Sequence, residues 1–172
     1  MQTYVLLFRG INVGGKNRLP MKPLVELLTR FGAAKVQTYI QSGNVVLDAH
    51  DKPGARLSAE IGSEFGFTPE FLALPAEVFL QVLESNPMPS DRGKEVHFYF
   101  CASAPTIDQD LIERYRAESE QLEILGCVAY LHAPEGIGRS KLAANLERCL
   151  GVAATGRNLN TIHKLSALLE ER

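Results

Sequence analysis

The sequence predicts an α+β fold in which one order of elements, β-α-β-β-α-β-α, runs twice. Three observations predict it. Short apolar stretches rich in strand formers alternate with longer stretches whose leucines recur at helical spacing. A proline- and charge-rich segment, residues 87–95, interrupts this pattern near the middle of the 172-residue chain. The order of elements after that segment repeats the order before it. The expected architecture is a tandem duplication of a ferredoxin-like split β-α-β unit, with antiparallel sheets covered by helices. Residues 1–86 are the first half, 87–95 a connector and 96–172 the second half. Halves of this size bury little core alone, so the two are expected to pack closely.

Residues 3–8 form an apolar run that reads as the first strand. Glycines at 10, 14 and 15 make residues 9–19 a loop. Pro20 opens a helix whose Leu24, Leu27, Leu28 and Phe31 share a face until Gly32 ends it. Residues 36–41 and 44–48 alternate as strands and pair through a tight Ser42-Gly43 turn. Leu57, Ile61 and Phe65 mark a second helix closed by Gly66. Residues 67–74 are a fourth strand, and a helix opened by Pro75 carries Phe79, Val82 and Leu83. In the second half, residues 96–101 are a strand, and Thr106 with Gln109 forms a capping box before Leu111, Ile112 and Tyr115. Residues 121–125 and 127–132 form a hairpin across Gly126. One helix spans 140–150, a short strand lies near 152–155, and a last helix bears Ile162, Leu165, Leu168 and Leu169.

The composition, 45% hydrophobic and 22% charged with a net charge of −2, is that of an ordinary globule and excludes a disordered or collagen-like chain. No apolar run reaches the ~20 residues of a membrane span, and the first 30 residues show no signal-peptide pattern. Cys101, Cys127 and Cys149 are too few for a disulfide framework and read as buried thiols in a reducing cytoplasm. Charge is uneven along the chain. Residues 1–47 carry +5, 48–135 carry −10 and 136–172 carry +3. The averaged field therefore disfavours steering towards nucleic acid or anionic membrane, while a local basic patch made by the two ends of the chain stays open.

Topology says where such a patch would form. Following the strands up and down, the loop 9–19 and the turn Gln41-Ser42-Gly43-Asn44 leave the first sheet at one end. The segments 133–140 and 155–160 likewise share an end of the second. If the halves pack head to tail, the two ends meet in a groove.

The segment Gly10-Ile-Asn-Val-Gly-Gly-Lys-Asn17 matches a phosphate-binding P-loop except that Asn17 stands where a magnesium-binding hydroxyl belongs. Pro20 disfavours a helix starting at the lysine, and the sheet is expected to be antiparallel, so a nucleoside-triphosphatase loop is set aside. A glycine-rich anion nest and a plain tight loop both remain. Arg139-Ser140-Lys141 opens a helix after Gly136 and Gly138, and Thr155-Gly-Arg157-Asn158 precedes the last one. Free amides and cations at such starts suit phosphate or carboxylate, and ordinary capping explains them as well. The four histidines lack metal-ligand spacing, and no Gly-x-Ser-x-Gly elbow occurs. No carboxylate pair stands out among the twenty acids. His97 and Tyr99 could face RNA from a sheet, but Val96, Phe98 and Phe100 beside them point to a buried strand.

Through Arg9-Gly-Ile-Asn-Val-Gly-Gly-Lys-Asn17 and Thr38-Tyr-Ile-Gln-Ser-Gly-Asn-Val45, the chain resembles a bacterial family of uncharacterised proteins, domain of unknown function 1697. The resemblance continues into Arg139-Ser-Lys-Leu142 and Thr155-Gly-Arg-Asn-Leu-Asn-Thr161, and it implies a duplicated α+β unit without naming an activity. Where the family usually has tryptophan, this chain has Leu159.

The expected function is a cytoplasmic binder of a phosphorylated or other anionic ligand (a nucleotide, sugar phosphate or short nucleic-acid segment) in the groove between the halves. Its candidate residues are Arg9, Gly10, Asn12, Gly14, Gly15, Lys16, Gln41, Ser42, Asn44, Arg139, Ser140, Lys141, Arg157 and Asn158. No cofactor or metal is read from the sequence. Two alternatives stand beside this reading. One is a metal-independent transferase or hydrolase in the same groove, with Lys16, Lys141 and His163 as proton carriers. The other is a protein-interaction module whose loops are purely structural.

Overall fold

The computed structural model describes all 172 residues, and the same seven-element order appears twice. The first run is β1 (Gln2–Arg9), α1 (Met21–Arg30), β2 (Ala34–Tyr39), β3 (Asn44–Ala49), α2 (Ala55–Phe65), β4 (Glu70–Pro75) and α3 (Ala76–Glu84). The second is β5 (Val96–Cys101), α4 (Gln109–Tyr115), β6 (Gln121–Leu125), β7 (Val128–His132), the helical pair α5 (Lys141–Ala144) and α6 (Leu146–Leu150), β8 (Ala154–Asn158) and α7 (Leu159–Glu170). Two four-stranded antiparallel sheets result, in the orders β2-β3-β1-β4 and β6-β7-β5-β8. The strand orders correspond position by position, as a duplicated split β-α-β unit requires. The chain divides into two compact units, Met1–Gln81 with Lys164–Arg172, and Val82–His163.

In the first unit the leucine spacing of α1 places Leu24, Leu27 and Leu28 in the core, each worth about 1.5–3 kcal/mol on burial. They pack with Tyr4, Leu6 and Phe8 of β1, Val45 and Leu47 of β3, and Leu57 and Ile61 of α2. Gly66, at φ 82°, ends α2 in the left-handed conformation that glycine adopts without strain. The register pairs Leu7 with Asn44 and Tyr39 with Asn44, so the loop after β1 and the β2–β3 turn leave at one end of the sheet.

The core of the second unit gathers Ile112 of α4, Ala129 and Leu131 of β7, Leu142, Leu146 and Leu150. Val96, Phe98 and Phe100 are buried as strand residues, with Phe98 edge-on to Tyr130 at 4.7 Å. Pairing of Val96 with His132 and of His97 with Asn158 puts the exits of β7 and β8 at one end.

Five local expectations are corrected. The single helix expected over 140–150 breaks at Asn145, whose Nδ2 donates to the Lys141 carbonyl at 2.8 Å and competes with the helix ladder. The cap of α4 is Asp108, which accepts from the Leu111 amide, while the Thr106 amide donates to Leu150. The fourth strand starts at Glu70 rather than residue 67. Strand β8 lies at Ala154–Asn158 rather than 152–155, because α7 follows it directly. Cys127 is exposed beside Gly126 in the β6–β7 turn; Cys101 and Cys149 are buried, and all three are free.

Candidate functional site

In the first unit the loop after β1 is built on left-handed backbone: Gly10, Asn12, Gly14, Gly15 and Asn17 all have φ between 52° and 73°. Gly14 and Gly15 are consecutive, and the Lys16 amide donates to the Val13 carbonyl at 3.0 Å. Two successive left-handed residues make a type I′ turn, whereas an anion nest alternates right- and left-handed residues. Helix α1 begins only at Met21, so Lys16 does not sit at a helix start as a P-loop lysine does.

Asn12 ties this loop to the β2–β3 turn. Its Nδ2 donates to the carbonyls of Leu19 and Gln41 at 3.0 and 2.8 Å, and its Oδ1 accepts from the Leu19 amide at 2.7 Å. Asn44, fully buried, donates to the Tyr39 carbonyl and Ser42 Oγ. Arg9 pairs with Glu70 across β1 and β4 at 3.6 Å. The structure thus brings Arg9, Gly10, Asn12, Gly14, Gly15, Lys16, Gln41, Ser42 and Asn44 to one end of the first sheet, with Lys16, Gln41 and Ser42 exposed. Beside them Ile40, a β-branched residue at φ 51°, and Val13 are 49% and 67% exposed. Asn12→Gly keeps the left-handed backbone accessible, removes the three side-chain hydrogen bonds and frees the unfolded chain, so about 1–2 kcal/mol of stability should disappear in urea unfolding with an unchanged slope.

The second unit has a cavity of about 400 Å³ where α4 ends and α5 begins. Arg139, Ser140 and Lys141 line one side, and Arg114, Arg116 and Glu120 line the other. Ser140 caps α5 by accepting from the Ala143 amide at 3.0 Å. The carboxylates here are engaged elsewhere: Glu120, 5% exposed, accepts from the Ala117 amide at 2.8 Å, and Glu135 accepts from Ser119 Oγ at 2.9 Å. Arg116 donates to the carbonyls of Ala117 and Glu120. Ion pairs in this unit tie Arg92 and His132 to Glu95 and leave Arg114, Arg116, Arg139 and Lys141 without a carboxylate partner.

Arg157 and Asn158 are not in the loop expected for them; they end strand β8 and lie outside this cavity lining. Arg157 pairs in register with Phe98 and is 9% exposed. Burial lowers its guanidinium to about 10, which leaves it cationic at neutral pH. Asn158 Oδ1 accepts from the Thr161 amide at 2.9 Å and caps α7. Leu159 is fully buried, so that position offers no surface on which a ligand could stack. Burial pushes the Cys101 thiol up to about 11, keeping it from ionising at neutral pH.

Sequence reasoning missed Arg114 and Arg116. The up-and-down rule that placed segment 133–140 also places the C-terminal end of α4 at that end of the sheet, and would have found both.

The structure contains no group of three or more His, Cys, Asp or Glu side chains able to hold a metal ion, and no helix long and apolar enough to cross a membrane. No curated protein matches the chain. Among solved structures, the conserved bacterial protein SP0830 from Streptococcus pneumoniae is similar over 99% of each chain, at 29% identity and a TM-score of 0.72. The model of a family described as proteins of unknown function, DUF1697, matches residues 1–130. With three quarters of its length so matched, and a fold shared end to end with that bacterial protein, the chain belongs to the DUF1697 family.

Proposed function

We propose that this protein binds a phosphorylated or otherwise anionic small ligand, with Arg139, Ser140 and Lys141 joined by Arg114 and Arg116 in holding it. One observation carries the reading: four cationic side chains line a single cavity, and the two carboxylates there are bonded to other groups. The four cations outnumber the two carboxylates and pair with neither, so the cavity keeps an excess of positive charge that an anion relieves while accepting charge-assisted hydrogen bonds. On the first unit taken by itself, the accessible groups at the end of the sheet, Arg9, Gly10, Gly14, Gly15, Lys16, Gln41 and Ser42, are proposed as a separate anion-binding surface. We place the protein in the cytoplasm, where its three free cysteines would stay reduced.

Calorimetric titration with pyrophosphate, adenosine monophosphate and a uridine hexanucleotide tests the proposal and ranks the ligand classes. The double variant Arg139→Ala/Lys141→Ala should raise the dissociation constant of the tightest of these about tenfold or more, a loss of about 1.4 kcal/mol. Lys94→Glu, exposed and outside the cavity, should leave it unchanged. Binding that is absent from all three titrations, or indifferent to the double variant, would remove the reading.

A further inference from the structure

The first unit holds a second cavity, about 480 Å³, at the end of its sheet opposite the glycine-rich loop. It opens where α1 ends, β3 ends and α2 begins. Its floor is apolar: Leu28, Leu47 and Leu57 are each 1% exposed, and Ala33 and Ala49 stand at its sides. Two cations lie at its mouth, Lys52 and Arg56. The ion pairs of this unit join Arg9 to Glu70, Arg30 to Glu64, and Lys35 and Arg172 to Asp48, so neither Lys52 nor Arg56 is neutralised by a carboxylate contact. Arg56 instead lies over the Phe31 ring, 5.3 Å from its centroid, which holds the guanidinium at the wall. Helix α2 starts here with no side chain bonded to its first amides and no acid in its first turn.

From this juxtaposition of a leucine floor with an unpaired cationic mouth, we propose that the cavity is a binding site for a small organic anion. The ligand's apolar body rests on Leu28, Leu47 and Leu57, and its phosphate or carboxylate sits between Lys52 and Arg56. The volume is in the range of small-molecule pockets, and the division of labour is theirs as well: apolar contact supplies area, and a few charged groups fix orientation. Asp51, also at the mouth, sets a specificity. It repels a second negative group on the ligand, so one anionic head on an apolar body is favoured over a polyanion. The site is independent of the cavity in the second unit.

An amide NMR titration of the full chain with phenyl phosphate, inorganic phosphate and benzyl alcohol separates the two halves of the proposed recognition. Phenyl phosphate should produce saturable shifts at Gly32, Ala33, Ala49 and the amides of residues 54–56, with an apparent dissociation constant about tenfold below that of either fragment. Lys52→Glu/Arg56→Glu should abolish those shifts, and Arg139→Ala/Lys141→Ala should leave them intact. Should the double reversal disturb the fold through loss of the Phe31 contact, Lys52→Glu alone, at an exposed position, should still weaken binding about threefold or more. No shifts at these amides, an equal response to inorganic phosphate, or shifts indifferent to Lys52→Glu would each overturn the proposal. Shifts confined to Arg114, Arg116, Arg139 and Lys141 would overturn it while supporting the site in the second unit.

Discussion

Gly43→Ala is expected to cost about 2–5 kcal/mol and to lower the thermal midpoint by on the order of 10 °C. Two effects add. Gly43 has φ 86°, a conformation that a Cβ disfavours by about 1–2 kcal/mol. A Cβ there would also lie 2.6 Å from both Phe8 Cβ and Ile11 Cδ1. Those neighbours cannot easily withdraw, because Phe8 and Ile11 are 1% and 2% exposed members of the first core. Relieving the clash means shifting β1 against the β2–β3 turn, which would strain the Phe8 amide bond to the Gly43 carbonyl at 2.9 Å. Gly14→Ala supplies the comparison: its φ of 59° is equally left-handed, but nothing lies within 4 Å of the added carbon, so only the conformational cost of about 1–2 kcal/mol should appear. Equal losses in the two variants, measured by calorimetry, would show that the turn accommodates a methyl group freely.

That comparison also shows how much of the architecture was legible in the sequence. Leucine spacing gave the helices, and glycines at 32, 66 and 126 punctuated them and the turns, because left-handed φ values there favour glycine. Following strands up and down then placed the loop 9–19 beside the turn 41–44, as the Asn12 bonds now show. The same patterns left other features unread. Asn145 breaks a helix by a bond from its own side chain, which periodicity does not register. Arg157 looked like a loop cation because Gly156 precedes it. It is buried because β8 runs to Asn158, and Gly156 is needed where the Tyr99 ring crosses the strand, 2.7 Å from any added carbon.

Charge was the least legible property of all. Averaging residues 48–135 to −10 concealed Arg114 and Arg116, and equally Lys52 and Arg56, although each pair ends up facing a cavity. Net charge sums over a segment, while binding responds to the few groups within a Debye length of about 8–10 Å. The asparagines of the loop motif misled in the opposite direction. Asn12 and Asn44 suggest ligand contacts by their polarity, yet their side chains bond the protein's own backbone and Ser42.

Asp48→Asn is expected to destabilise the chain by about 2–4 kcal/mol at neutral pH and to remove part of its acid sensitivity. Asp48 accepts from Arg172 at 2.9 Å and from Thr3 Oγ1 at 2.7 Å, with Lys35 Nζ at 4.0 Å. Burial by itself would raise this carboxyl. The hydrogen bonds from Thr3 and Arg172, with the charges of Arg172 and Lys35, outweigh it and hold the group below its usual 3.8. A depressed folded value means the stabilisation is complete above the unfolded value and is lost as pH falls through the folded one. The difference between parent and variant should therefore be constant near neutrality and shrink below about pH 4. Asparagine leaves the Arg172 guanidinium, with its side chain 8% exposed and its Nε buried without a hydrogen-bond partner, facing a neutral amide in place of the carboxylate. The bond from Arg172 to Gln37 at 2.8 Å survives the change and supplies no charge. Urea unfolding at a series of pH values from 7 down to about 2 measures both effects. A parent and variant whose stabilities fall in parallel through that range would show that Asp48 does not carry the linkage.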